Sequence, residues 1–305
     1  MQLKQIDINS YLRKDAYVVA FLDGSYCHEL SSKELQLKDQ YDGSLFVSLS
    51  RDDENESLIQ LLYIYSSHGG EFSSNVTLHI EKLANVNVIF EQIFFNDNNS
   101  VNSFLDIIVN SGGRCNVTDV CCNIGNNDVS NKISVAVEGD GSFNYTGFST
   151  GAKLFRNEIT VDLLNNNAST NLKGGWLLDT NKSIVTSVCV SHFAPNTRSN
   201  QHYKGVLCDK SKSFFESTVC INSVAQGAQS RQINNNLVVD DGVASISKPN
   251  LKIFADDVKA SHGVTISNID EDELFYMASR GIDLKTAKQY IIKGFLSEIR
   301  YDNEV

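Results

Sequence analysis

Short apolar runs separated by polar clusters fill the chain from Leu58 to Asp240. LIQLLYIY, VTLHIE, FLDIIV, KISVAVE, EITVDLL, IVTSVCVS and FFESTVCI are brief and rich in β-branched residues. Their centres stand about 10–14 residues apart, which is strand spacing. Clusters of Asn, Asp, Gly and Ser such as NDNNS, NSGG and NIGNND divide them. No helical stripe of useful length interrupts the series. Upstream, YVVAFLDGSYCHELS reads as a strand, an Asp23-Gly24 turn and a short extended piece, while RDDENES (51–57) is a charged loop. The strands are too numerous for a simple sandwich, and tight hairpin turns are rare after the first. Asn recurs at run ends (Asn96, Asn110, Asn123, Asn165), where stacked amides could bond along a solenoid. Two runs per coil give a rung of roughly 20–28 residues. The pattern favours a mainly β chain, a parallel β-helix over a large sandwich. The open ends of such a solenoid are edge strands that need a cap or a partner.

The period changes near the C-terminus. Leu251, Ile253 and Ala255 alternate with polar or outward positions, as in a strand. Ser261-His262-Gly263 then reads as a junction after a strand end. From Asp270 the spacing is helical, with Leu274, Met277 and Ala278 on one stripe. Asp270 fits an N-cap with Glu273 three residues on, and Gly281 fits a helix stop. Asp283 can cap a second helix whose stripe is Leu284, Ala287, Ile291, Phe295, Leu296 and Ile299. That stripe either lies back on the β body or faces another protein. The division expected is a β body over 1–265 and a small α-helical region over 266–305.

Composition narrows the function. The formal charge of −11 over 305 residues, with no basic run, argues against a nucleic-acid partner. No apolar run reaches transmembrane length, and the first residues show no secretory pattern. Seven cysteines, an odd number without CxxC, point to free thiols in a reducing compartment, with a cytoplasmic location expected.

Candidate chemistry is sparse. The histidines form no HxxxH or HExxH pattern. Cys189 and His192 stand three apart, on opposite faces of a strand. His79 reads as structural. His262, beside Gly263 and among acids, can offer one ligand to a metal shared with a partner, or an ordinary hydrogen bond. Asp256 and Asp257 are adjacent and point apart, so they are not a carboxylate pair. Gly147–Gly151 matches GxSxG, but no helix follows it, as a nucleophile elbow requires. Gly139-Asp140-Gly141 and Lys173-Gly174-Gly175 read as turns. HFAPNTRSNQHYKGVL (192–207) reads as a polar loop in which Thr197, Ser199, Gln201 and Lys204 could make specific contacts. The chain does not look like an enzyme. Three readings remain open on these grounds: a scaffold subunit, a carbohydrate-active β-helix enzyme and a stand-alone structural solenoid.

Several blocks, in order, carry a resemblance: HFAPNTRSNQHYKGVL, FFESTVCI, AQGAQSRQINNNLVV, LKIFADDVKASHG and LFYMASRGI, with YVVAFLDGSYCHELS more weakly. The sequence resembles the SufB/SufD family of iron–sulfur cluster assembly proteins, in its SufD branch. The resemblance implies a right-handed parallel β-helix with a small C-terminal helical domain. It implies a complex with a SufB-like scaffold, paired through strands at the end of the helix, and with a SufC-like ATPase. Phe275, Tyr276, Arg280 and Gly281 fall in the segment that docks the ATPase. His262 corresponds to the histidine implicated in handling iron or a cluster at the SufB interface. The cluster or iron is transient and shared, with none held tightly by this chain alone. Ile233 stands where SufB-type proteins carry an acceptor cysteine, and Ala260 where many SufD relatives carry one. The same open end also permits a homodimer of the isolated chain.

Overall fold

The computed structural model describes residues 8–32, 37–39, 45–50, 57–121 and 124–299. Most of the expected loop 51–57, Cys122, Asn123 and the last six residues lie outside this set. The described strands form two long sheets that the chain visits alternately. Sheet A has ten strands, from Ser25–Tyr26 at one end to Val258–Asn268 at the other. Sheet B has nine, ending in Ala244–Ile253. The inner strands pair in parallel with the strands one coil below and one coil above, so the protein is a β-solenoid. Alternation explains the packing: in Ser183–His192 every second residue is buried, and the rest face outward. The main core is one continuous cluster running from Val19 to Ala255.

Residues that coincide every coil stack. Asn116 Nδ2 donates to Asn87 Oδ1 and Asn144 Nδ2 to Asn116 Oδ1, both at 2.8 Å, across separations of 29 and 28 residues. Asn200 Nδ2 donates to Asn171 Oδ1 at the same distance. This outward ladder sits in mid-strand. Three of the run-end asparagines also bridge coils, Asn96 to the Ser66 carbonyl, Asn110 to His79 and Asn165 to Glu138.

The two ends differ. At the N-terminal end, the hairpin Tyr17–Leu22 and Ser25–Tyr26 places an antiparallel strand on the rim of sheet A. Asp23 and Gly24 both take positive φ there, as a tight turn of this hand requires. Leu37–Asp39 does the same for sheet B. At the other end, Ala244–Ile253 and Val258–Asn268 are the last strands of their sheets, and no described strand pairs beyond them. Two helices follow, α1 (Glu271–Ser279) and α2 (Leu284–Leu296). Their caps are those expected: Asp270 accepts from the Asp272 amide, Asp283 accepts from the Thr286 amide, and Gly281 has φ +82°.

Several expectations need correction. Ser261-His262-Gly263 is not a junction but lies within the strand Val258–Asn268, and helix begins only at Glu271. The segment 192–207 is not an outside loop. His192 ends one strand, and Arg198–Leu207 is the next, with Thr197, Ser199 and Gln201 buried. Gly174 and Gly175 are not a turn but belong to the strand Ser169–Leu178. A Cβ on Gly174 would collide with the ring of Tyr203, and one on Gly175 would press on Ile299. Gly147–Gly151 makes no elbow. Ser149 is buried at a strand end and accepts from the Gly151 amide.

Candidate interface at the open end

The last coil of the solenoid is the part of the molecule left incomplete. Pairing puts Gln201, Gln232 and His262 in one column, each on the next strand of sheet A. Gln201 and Gln232 are buried inside the coil, while His262, at the top of the column, is exposed. Ser217 links the two amides, accepting from Gln232 Nε2 and donating to Gln201 Oε1, both at 2.6 Å. Gln232 Oε1 is buried with no hydrogen-bond partner. An internal polar column therefore ends in an imidazole at the open mouth.

Around it the surface is apolar. Val264 and Ile266 occupy the same inward-type positions as His262, yet are 41% and 48% exposed, because no further coil covers them. Ile253 and Phe254, at the end of the facing strand, are 40% and 65% exposed. Unpaired edge backbone beside exposed apolar side chains is a template for strand addition.

His262 has no metal-binding company among the described residues. Among the described residues, no three His, Cys, Asp or Glu side chains stand together as a metal site. Ala260 pairs with Ser230 and Ile233 faces outward opposite Gly263, so neither position supplies a thiol. Asp256 and Asp257 are exposed before the last strand, and the Asp257 amide donates to Gln226. Of the other cysteines, Cys115 and Cys121 are buried in the core, and burial pushes the Cys115 thiol up to about 12.

The helices sit on the outer face of sheet A. Leu296 is buried with Val206, Leu237 and Ile269, and Phe295 and Ile291 pack beside them. Lys204 fastens the end of α2, donating to the Phe295 carbonyl at 3.0 Å and pairing with Glu298 at 2.9 Å. Most of the predicted stripe thus faces the β body, although Leu284 stays exposed. In contrast, α1 buries none of its residues. Phe275 and Tyr276 are 76% and 60% exposed, and the Arg280 guanidinium lies over the Tyr276 ring. A groove between the helices is lined by Tyr276, Met277, Tyr290 and Phe295, with Asp272 and Glu273 at its rim.

The description "SUF system FeS cluster assembly, SufBD core domain" matches residues 63–295. The chain belongs to the SufBD core family. Among curated SufBD-type proteins, the chain is similar to ABCI7 of Arabidopsis thaliana, described as chloroplastic, at 33% identity over 54% of this chain and 35% of the relative. It is similar to the iron-sulfur cluster assembly protein SufD of Escherichia coli at 30% identity, over 50% of this chain and 36% of the relative. A third relative, the SufBD family protein slr0076 of Synechocystis, is 33% identical over 49% of this chain and 33% of its own length. The matched segments thus span about a third of each relative. The matched family is described as one of FeS cluster assembly in the SUF system. No described helix is long and apolar enough to cross a membrane.

The stacked glutamine column and the polar coil interior were missed in the sequence. Their one signal is the recurrence of Gln at 201 and 232, opposite each other in register.

Proposed function

We propose that this SufBD protein is a SufD-like, non-catalytic scaffold subunit. The open end pairs by strand addition with a SufB-like partner, and the exposed face of α1 docks a SufC-like ATPase. The observation that carries this reading is the asymmetry of the ends, one rimmed by antiparallel strands and the other bare and apolar. His262 supplies one ligand to iron or a nascent cluster at that interface, and the partner supplies the rest. The cluster is cargo in this reading, and the chain alone holds none tightly. Ile233 and Ala260 support the SufD role, because the chain brings no acceptor thiol to the mouth. The six described cysteines form no disulfide with one another, which supports work in a reducing compartment such as the cytoplasm.

Co-expression with SufB-like and SufC-like candidates, then anaerobic size exclusion with iron and sulfide assays, tests the proposal. A stable heteromeric peak is expected, with cluster content reduced by His262→Ala. Deleting 270–305 should release the ATPase and leave the SufB-like partner bound. Elution of the chain alone beside soluble partners would overturn the reading. A peak that keeps its full cluster content in His262→Ala would remove the ligand role and leave the scaffold role. In the isolated chain the same bare edge pairs two copies, which light scattering reads as a dimer.

A further inference from the structure

The sequence has no basic run, yet the coil spacing brings three cations together. Arg231 pairs with Asn200 below it and with Ser261 above it, while Gln229 pairs with Arg198 and with Lys259. Arg198, Arg231 and Lys259 therefore line one groove of about 460 Å³ across the starts of the last four strands of sheet A. The three side chains are exposed, and no salt bridge to a carboxylate engages any of them. No acid lines the groove, in a chain whose formal charge is −11.

Beneath the groove, the inner face of sheet A carries hydroxyls. Thr170, Ser199 and Ser230 stack in register on three successive strands, each less than 6% exposed. Ser199 Oγ lies 2.9 Å from both Ser230 Oγ and His192 Nε2. His192 is fully buried, and its Nδ1 is 2.8 Å from Thr197 Oγ1. This scaffold fixes the serines from inside. Thr170 is the exception: its hydroxyl is buried on that same inner face and has no hydrogen-bond partner among the described residues. On the outer face two guanidiniums and an ammonium line the groove beside Gln229, while the Asn200 amide already donates to Asn171 Oδ1. Guanidinium forks beside an ammonium suit a tetrahedral oxyanion with several acceptor oxygens.

We propose that this groove binds a phosphate-class oxyanion, either free phosphate or the terminal phosphate of a nucleotide. Arg198 and Arg231 clamp it and Lys259 neutralises it. The site is separate from the role given to His262 and does not depend on it.

Isothermal titration of the full chain at low ionic strength, with inorganic phosphate in one arm and ADP in the other, tests the proposal. Binding is expected to weaken about tenfold in Arg198→Gln and in Arg231→Gln, as for loss of one charge-assisted bond. It should weaken to a smaller degree in Lys259→Gln. Arg156→Gln, an exposed change on the other sheet, should leave it unaltered. Equal affinity for the two ligands identifies free phosphate as the source, and tenfold tighter ADP identifies a nucleotide. No binding of either at millimolar concentration overturns the site. So does binding that Arg156→Gln weakens as much as Arg231→Gln, because that is the signature of bulk charge.

Discussion

Asp119 is a carboxyl inside a solenoid core, held by the Tyr145 hydroxyl at 2.8 Å and the Cys121 thiol at 3.2 Å. Burial is the largest influence and pushes its carboxyl up to about 6, against the two hydrogen bonds, which pull it down. An acid raised on folding stabilises the fold fully below its ordinary value near 3.8 and loses that contribution as pH rises through about 6. The size is roughly 3 kcal/mol at 1.36 kcal/mol per unit. His192 works with the opposite sign. Burial lowers it to about 4, so its penalty on the fold grows as pH falls below 6.5. The two largely cancel in the wild type. The stability advantage of Asp119→Asn over wild type should therefore grow by roughly 3 kcal/mol between pH 4 and pH 7. Urea midpoints across that range read it, and a flat difference would show that Asp119 is ionised throughout. Neither residue announces itself in the sequence. TDVCC reads as an apolar run with one stray acid, and the polar string after His192 reads as a loop. Polar residues at alternate positions look like solvent-facing positions unless the coil above and below is known. Here Thr170, Ser199 and Ser230 satisfy or present their groups to neighbouring coils instead.

At the scale of elements, local signals were legible and register was not. The strands are visible because alternation lies within ten residues, and both helix caps are visible because Asp270 and Asp283 act within one turn. The asparagine ladder depends on partners 28 or 29 residues away, so it escaped notice, although run-end asparagines hinted at bonding between coils. Asn116 takes part in two ladder bonds and Asn171 in one. Asn116→Ala should cost about 1–2 kcal/mol and Asn171→Ala about half of that, read from denaturant midpoints at constant m. Equal costs would mean the ladder amides are exchanged freely for water. The docking of α2 makes a second case. Leu296 is buried beneath the helix on Val206 and Leu237, and Lys204 clips its end. Leu296→Ala should remove about 2–3 kcal/mol from the helix–sheet contact. Hydrogen exchange should then quicken in α2 by one to two orders of magnitude, while the amides of Ser183–His192 keep their protection. Uniform acceleration would place α2 within the cooperative unit of the solenoid.

At the scale of the whole molecule, the free end is the decisive feature. A parallel solenoid gains stability coil by coil, because each coil buries its inner side chains against the next. The terminal coil cannot do this, and its inward positions, Val264 and Ile266, remain exposed beside His262. The apolar surface left there is a cost to the isolated chain that a covering coil from the proposed partner would remove. A charge placed at these positions should therefore separate folding from assembly. Val264→Lys and Ile266→Glu change exposed sites, so the monomer should stay within about 0.5 kcal/mol of wild type. At a closed interface the same charges would be buried without partners, a penalty of several kcal/mol that few interfaces tolerate. Size exclusion should show the SufB-like partner lost from both variants, and light scattering should show the isolated chain monomeric. Ser25→Glu, exposed at the opposite end in the strand Ser25–Tyr26, serves as the control and should leave assembly intact. If the charged variants still assemble, the partner sits elsewhere. The outer face of α1, where Phe275 and Tyr276 are exposed, is then the surface to test with Phe275→Ala and Tyr276→Ala. The order of sensitivity ranks the two surfaces: a true strand-addition interface fails with charge at Val264 or Ile266 before it fails with truncation at Phe275.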